Sequence, residues 1–579
     1  MDIKQATPKP FVPLPYHALL MEEASPVTPN KRKSEDLLGH DLPYPSTTNK
    51  KFQETSFVEE GENSNGICRL DLLPKPHPVD EEGEESRNKD PQPTGEVGGG
   101  GGVDRISSLP PDALFTIISK LGTKEGARTQ ILSKYWKPLW RLSPLNLQLD
   151  AGLAKQECKR IRILDKILSS HTGGGRRLYL RNTRMHNIYK QCNKWLGDRA
   201  LNNLEELDFR YRFVPSGKEQ PLLPPSALRF SSTLRILSLG NCRFPVDGNN
   251  CLDFPKLKQF SLHGVTISES ALQGLLSGCT ALESLQILDC IGFHRICLRS
   301  PSIRSIGVRA WFCMRFQPDI ILQELVIMDA PCLERLLTYP PHGPAIIRVT
   351  RAPKLQVLGC LSHAISKLEI GGMIFKVVLA LLDSLDSFYI KRYLVSFSHT
   401  YVLLQEMIPT VLNAAICTLK VLVLLSTGPN LGAVLNLLQC FPCLETLYVT
   451  LSVARVSVAE AQQLYLPGPI HCLGHHLNKI IIRGYQGSRE DIDFANFFIV
   501  SARILQIMQF RVPKKFSNKW VANQRKALLL NHKASGDAEF YSANYYSMIE
   551  MNCQRRTHDL TISDPFDNET LSPVSNNKG

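Results

Sequence analysis

LKQFSL at Leu257–Leu262 and LESLQI at Leu282–Ile287 are two forms of one pattern, L-x-x-L-x-L, placed 25 residues apart. In each, the apolar residues at alternate positions fall on one side of a short strand, and the residues between them face the other way. A single strand of this kind cannot bury its leucines alone. Several of them stacked side by side share a core, which predicts a repeat solenoid.

The pattern recurs along the chain. It returns as LEELDF from Leu204, LRILSL from Leu234, IRSIGV from Ile303, LQELVI from Leu322 and LQVLG from Leu355. Further copies are ISKLEI from Ile365, LKVLVL from Leu419, LETLYV from Leu444 and LNKIII from Leu477. The first spacings, 30, 23, 25, 21 and 19 residues, scatter around the period of leucine-rich repeats. After Leu322 the spacing is irregular, which predicts distorted repeats rather than a regular horseshoe.

Upstream of the repeats lies ISSLPPDALFTIISKLGTKEGARTQILSKYWKPLW, Ile106–Trp140. Ser107 or Ser108 stands where a helix cap is expected, with Pro110 and Pro111 near the first turn, where a missing N–H costs little. Leu114, Ile117, Ile118 and Leu121 recur at helical spacing, and Gly122 ends that run. A second helical run begins near Lys124, and Ile131, Leu132, Tyr135, Trp136, Leu139 and Trp140 fill nearly one face. So short a block is rich in large apolar groups and has little chain to cover them, so it reads as a surface completed by another protein.

Residues 1–102 hold 13 of the 38 prolines, the acidic run Asp80–Glu85 and the glycines Gly98–Gly102. Such a composition buries too little apolar surface to offset ordering entropy, which predicts a disordered tail and linker. Lys31-Arg32-Lys33 reads as a solvated charge cluster, with nuclear import as the sharper alternative. These residues hold 11 Lys and Arg against 18 Asp and Glu, a net −7, whereas the rest holds 56 against 36, a net +20. Basic groups spread over many repeats, without a reading module, do not describe a nucleic-acid binder.

No stretch approaches the roughly 18 apolar residues of a membrane helix, and the run around Phe375–Leu382 fits a buried strand or helix. The first residues, MDIKQATPKPFVPLP, lack an apolar signal-peptide core. The 16 cysteines are scattered through apolar segments, which favours reduced thiols and a cytoplasmic or nuclear setting.

Cys440-Phe-Pro-Cys443, followed by His471, Cys472, His475 and His476, has the residue types of a zinc site. Cys443 directly precedes LETLYV, however, and Cys279 stands two residues before Leu282 in a parallel unit, so small buried residues suit the repeat better. There is no nucleophile elbow and no cysteine-protease signature. His171-Thr-Gly-Gly-Gly-Arg-Arg177 reads as a loop joining helix to strand. No catalytic residue, metal or cofactor is expected.

The Ile106–Trp140 block resembles an F-box. The matching residues are Leu109-Pro110, Asp112, Leu114, Ile117, Leu121, Arg128, Leu132-Ser133-Lys134-x-Trp136 and Leu139-Trp140. ARTQILSKYWKPLW, Ala127–Trp140, is similar to the plant subfamily that joins an F-box to leucine-rich repeats. LNKIIIRGYQGSREDIDFANFFIVSARILQIMQF, Leu477–Phe510, resembles the FBD region of the same subfamily. The resemblance rests there on an apolar strand, Gly484-Tyr485-x-Gly487, Asp491, Phe494, Ala495, Phe498, Ala502, Leu505 and Met508. Read from the residues alone, this region is strand, glycine turn, amphipathic helix, strand. The chain departs from the family in Pro111 after Pro110, in Gly122-Thr123 at the helix junction, in its long first 102 residues and in a tail after Pro513 that matches nothing.

The expected fold class is α/β: a small helical F-box at 103–150, an irregular leucine-rich-repeat solenoid at 151–460 and an FBD-like α/β region at 461–512. A disordered tail at 1–102 precedes these, and residues 513–579 form an unassigned C-terminal tail. The resemblance implies a substrate-recognition subunit of an SCF-type cullin–RING ubiquitin ligase, bound to an adaptor subunit and through it to the cullin and RING subunits. The alternative is a repeat-based binding or nuclear regulatory protein working outside ubiquitin ligation. The expected adaptor-binding residues are Leu109, Pro110, Leu114, Ile117, Leu121, Leu132, Trp136, Leu139 and Trp140. Alternation in the strands nominates Asp208, Arg210, Ser261, His263, Arg309 and Met328 for the target protein.

Overall fold

A computed structural model describes residues 105–567 except 149–155, 184–188, 213–218, 246–251, 311–320, 340–342, 363–364, 380–404, 410–414, 426–430, 452–469, 513–515, 529–538 and 543–552. The expected disordered tail, its glycine run and Lys31-Arg32-Lys33 lie outside the described residues.

Every repeat hexapeptide forms a strand that begins two residues after its first apolar residue. In chain order the strands are β1 (Leu145–Gln148), β2 (Gly175–Thr183), β3 (Glu206–Tyr211), β4 (Ile236–Gly240), β5 (Gln259–His263), β6 (Ser284–Cys290) and β7 (Arg295–Arg299). Next come β8 (Ser305–Ala310), β9 (Glu324–Asp329), β10 (Arg335–Thr338), β11 (Ile346–Val349), β12 (Val357–Leu361), β13 (Lys367–Ile370), β14 (Met373–Leu379) and β15 (Gln405–Pro409). The last are β16 (Val421–Leu424), β17 (Thr446–Thr450), β18 (Lys479–Arg483), β19 (Ile507–Val512) and β20 (Glu539–Ser542).

Fourteen of these make one sheet in the order β1-β2-β3-β4-β5-β6-β8-β10-β12-β16-β17-β18-β19-β20. Each pairing along it is parallel, as stacking of one unit on the next requires. In β5, Phe260 and Leu262 point into the core, whereas Gln259, Ser261 and His263 face outward. The alternation gives the sheet one side that faces the core and one outer face, which is polar at β5 and apolar at β12 and β16.

What returns the chain from strand to strand changes along the solenoid. Early returns are the helix α4 between β1 and β2, α5 between β2 and β3, and α6 between β5 and β6, if the helices are numbered α1 (Pro111–Ile118), α2 (Thr123–Arg128), α3 (Trp136–Leu142), α4 (Glu157–Ser170), α5 (Tyr189–Gly197) and α6 (Glu269–Gly278). In the middle the returns are strands: β7, β9, β11 and β13 pair in parallel as a second sheet, which β14 and β15 extend antiparallel. These segments are short and rich in Ile and Val, types that sit well on a pleated surface. Helices return at Leu431–Leu438, His471–His475 and Arg489–Ser501.

This explains the irregular spacing after Leu322. LQELVI and ISKLEI are return strands, β9 and β13, and the front strand between β8 and β12 is β10, preceded by Leu333. The FBD-like region is not a separate body: β18 and β19 continue the long sheet, with Gly484 and Gly487 at φ +76 in the expected turn. Ser488 caps the following helix in a capping box with Asp491. One contiguous apolar core runs from Leu114 to Leu528.

Because repeats and FBD-like strands share that core, a cavity in either is felt by both. Leu447→Ala, at a fully buried position of β17, is expected to cost about 2–5 kcal/mol. Denaturant unfolding followed by proteolysis should show cleavage in the repeats and in Leu477–Phe510 appearing in one transition.

Candidate protein-docking surfaces

The first surface is built on the helical block. Pro110 occupies the N-cap of α1 and Pro111 its first position, with no side-chain cap. Ser107 therefore does not cap α1; its hydroxyl accepts the Trp136 indole N–H at 2.8 Å. Leu114, Ile118, Trp136, Leu139 and Trp140 are buried together between α1 and α3. α1 ends at Ile118, so Leu121 falls beyond it and is half-buried.

The other apolar side chains stay outside. Seven of the eleven exposed large apolar residues among those described lie here: Ile106, Leu109, Ile117, Ile131, Leu132, Tyr135 and Leu142. Ile131 and Leu132 are 70% and 63% exposed, unusual for side chains of this size. Of the residues nominated from sequence, Leu109, Pro110, Ile117 and Leu132 are exposed, whereas Leu114, Trp136, Leu139 and Trp140 belong to the block's own core. Ile106, Ile131, Tyr135 and Leu142 were not nominated for docking; helical spacing had placed Ile131 and Tyr135 on the apolar face, and exposure adds Ile106 and Leu142. The same block exposes Arg105, Lys120, Lys124, Arg128, Lys134, Lys137 and Arg141 against two acids, Asp112 and Glu125.

The block is fastened to the solenoid. The Thr123 hydroxyl lies 2.8 Å from the carbonyls of Asn146 and Gln148 and accepts the Gln148 N–H at 2.7 Å. Asn146 Nδ2 donates to the Leu121 carbonyl at 2.9 Å, and Arg176 Nη1 donates to that of Ser119 at 2.9 Å. The expected glycine loop closes the joint: the N–H groups of Thr172 and Gly173 donate to the Arg141 carbonyl, each at 3.0 Å. A Cβ on Gly173 would collide with the backbone of Leu142 and Ser143, so only glycine fits.

The second surface is the outer face of the long sheet. Its first strands carry a charge ladder. Arg177 donates to both oxygens of Glu206 at 2.5 and 3.0 Å, Arg181 Nε to Asp208 at 2.7 Å and Arg210 Nε to the other Asp208 oxygen at 3.1 Å. Farther along, Arg309 Nε donates to Asp289 at 2.9 Å, with His263 Nε2 at 3.9 Å from the same carboxylate. Asp208, Arg210, Ser261, His263 and Arg309 thus share this face as nominated. Met328 does not join them; it lies on β9 in the second sheet.

From β5 to β18 the outer face carries a segment of the chain's own C-terminal tail, Cys553–Asp567. His558 lies between two serines, its Nε2 2.7 Å from Ser261 Oγ and its Nδ1 2.7 Å from Ser284 Oγ. The Ser284 hydroxyl also lies 3.1 Å from the Thr557 carbonyl oxygen. Gln286 donates to the Gln554 carbonyl at 2.8 Å and to Thr557 Oγ1 at 3.0 Å, and Tyr339 bonds the same hydroxyl. Arg335 donates to the carbonyls of Asp559, at 2.8 Å, and Ile562. Tyr448 donates to Asp564 Oδ2 and Lys479 pairs with Asp567, both at 2.7 Å. Cys553 and Phe566 are buried in a separate apolar cluster with Leu337, Val423 and Tyr448 on the face. Sequence reading left this tail unassigned, and its residues follow no period that would have placed it.

Among the described residues no group of His, Cys, Asp and Glu could hold a metal ion, and no helix is long and apolar enough to cross a membrane. Cys440 and Cys472 are buried in the core, the Cys472 thiol pointing to the Leu438 carbonyl at 3.9 Å.

A family model described as the leucine-rich repeats of FBD-associated F-box protein At5g56370 matches residues 192–387 and 389–449, and a model of the FBD region matches residues 467–510. The Arabidopsis thaliana F-box/FBD/LRR-repeat protein At5g56420 is 29% identical over 241 residues, which is 40% of this chain and 54% of that protein. The FBD-associated F-box protein At5g60610 of the same plant is 35% identical over 32% of this chain and 46% of its own. The F-box/FBD/LRR-repeat protein At3g52680, also from Arabidopsis, is 33% identical over 41% and 54%. The chain spans about half the length of the curated relatives it matches. It belongs to the plant F-box/FBD/leucine-rich-repeat family.

Burial, with the Arg210 charge second, pushes His558 from the usual 6.5 down to about 4. The unfolded chain takes up this proton below about pH 6.5 and the folded chain only near pH 4. Docking of the segment is therefore fully supported above 6.5 and is weakened as pH falls through 4. Deuterium uptake of Cys553–Asp567 should rise over that window, and His558→Gln should flatten the dependence.

Proposed function

We propose that this member of the plant F-box/FBD/leucine-rich-repeat family is the substrate-recognition subunit of an SCF-type cullin–RING E3 ubiquitin ligase. The helical block docks on the adaptor subunit, and through it on the cullin and RING subunits. The outer face of the long sheet holds the target protein. Ubiquitin is delivered by the partner enzyme of the ligase, so this chain contributes position rather than a reacting group. Such partners place it in the cytoplasm or the nucleus.

The observation that carries this reading is the division of labour within Ile106–Leu142. Half of its large apolar side chains make a small core clamped to β1 and β2, and the other half stand in water, where only a partner can cover them. The basic groups of the same block fit a partner with an acidic surface, which gives faster association at low salt. The clamp matters as well, because a rigid joint fixes the distance between adaptor and target.

The residues nominated for docking separate into two testable sets. Ile117→Asp combined with Leu132→Asp is expected to weaken adaptor capture by about 2 kcal/mol or more, roughly thirtyfold, with the melting temperature unchanged. Leu114→Ala and Trp136→Ala act through the fold and should lower the melting temperature before they affect binding. Failure of the intact, folded wild type to bind any adaptor isoform would leave the chain as a repeat-based binding protein outside ubiquitin ligation.

A further inference from the structure

We propose that Cys553–Asp567 is an internal stand-in for the target, and that the target presents to β5–β18 a short peptide of the same chemistry. That peptide carries a Thr-His pair followed, eight residues on, by an aromatic side chain flanked by carboxylates, as in Thr557-His558 and Asp564-Pro565-Phe566-Asp567. The inference rests on the receptor reading above and names the class of peptide its outer face takes.

The face holds the segment in large part by its main chain. Ser284, Gln286 and Arg335 take the main-chain carbonyls of Thr557, Gln554, Asp559 and Ile562. Side chains that bond carbonyl oxygens hold any chain following the same path, whatever its sequence. Selectivity comes from the two ends. At one, the neutral imidazole of His558 and the hydroxyl of Thr557 fill a polar recess lined by Ser261, Ser284 and Tyr339. At the other, Phe566 lies 5.9 Å from the Tyr448 ring, with Tyr448 and Lys479 answering the carboxylates of Asp564 and Asp567.

Nothing in this grip needs the segment to be part of the solenoid. It adds no strand to either sheet, and its apolar contacts form a cluster apart from the core that runs from Leu114 to Leu528. The leucines of the long core are buried without it, whereas Leu288, Leu337 and Leu425 share the segment's own cluster on the outer face. An attached segment competes at an effective concentration of order millimolar, so a target must outbind it or meet it already released.

The test uses the full chain and a fluorescent synthetic peptide of residues 551–569, read by anisotropy. Phe566→Ala and the double variant Thr557→Ala/His558→Ala each loosen one end of the resident segment. Each should bind the peptide at least tenfold more tightly than the wild-type chain does, and peptide bearing the same alanines should lose that binding. Equal binding to wild type and variants, or no binding to either variant, overturns the proposal. So does loss of folding in both variants, which would make the segment part of the core. Adaptor capture, measured on the same proteins, separates the two claims: intact capture with failed exchange sinks this inference alone, and failed capture with intact exchange sinks the receptor reading.

Discussion

A strand with leucines on one side and polar groups on the other has a single stable use, which is to lie beside others like it. That constraint governs the whole molecule. It sets the parallel pairing from β1 to β20, draws the FBD-like strands into the same sheet and leaves one core from Leu114 to Leu528. It also leaves an outer face that the long core does not use, polar at β5 and apolar around Leu337, Val423 and Tyr448, on which the C-terminal segment lies. The helical block is tied to this sheet through β1, so both surfaces belong to one rigid frame.

The same constraint marks the limit of what the sequence discloses. Each quoted hexapeptide became a strand because period-two apolarity reports a one-sided strand directly. It does not report which sheet the strand joins. β9 and β13 carry the same alternation as the front strands while returning the chain along the back, so Met328 was placed on the wrong sheet. Helical spacing likewise finds the apolar residues of the block without saying which face inward: Leu114 is buried and Ile117, three residues on, is not. The C-terminal segment was invisible for another reason. Its hydrogen-bond partners lie 297 and 274 residues away, at Ser261 and Ser284, and no local pattern encodes a contact so distant.

The two surfaces suit opposite kinds of recognition. The helical block offers bare aliphatic groups and an excess of positive charge, which suits one constant partner. The outer face offers hydroxyls, amides, guanidinium groups and tyrosines beside an apolar patch at Leu337 and Val423, which together suit a peptide held by its main chain and a few anchors. The resident segment shows that a peptide can be held there with its polar atoms satisfied, including a buried neutral histidine. The grip combines these polar bonds with one apolar cluster around Phe566 that lies apart from the long core.

The receptor function proposed above requires the exposed apolar set on the helical block to dock the adaptor. Hydrogen–deuterium exchange of the full chain, with and without purified adaptor, tests it most directly. The account predicts a complex in which slowed exchange is confined to Arg105–Leu142, with the strands of the long sheet unchanged. Absence of a complex, or protection on the outer face instead of the block, would contradict it.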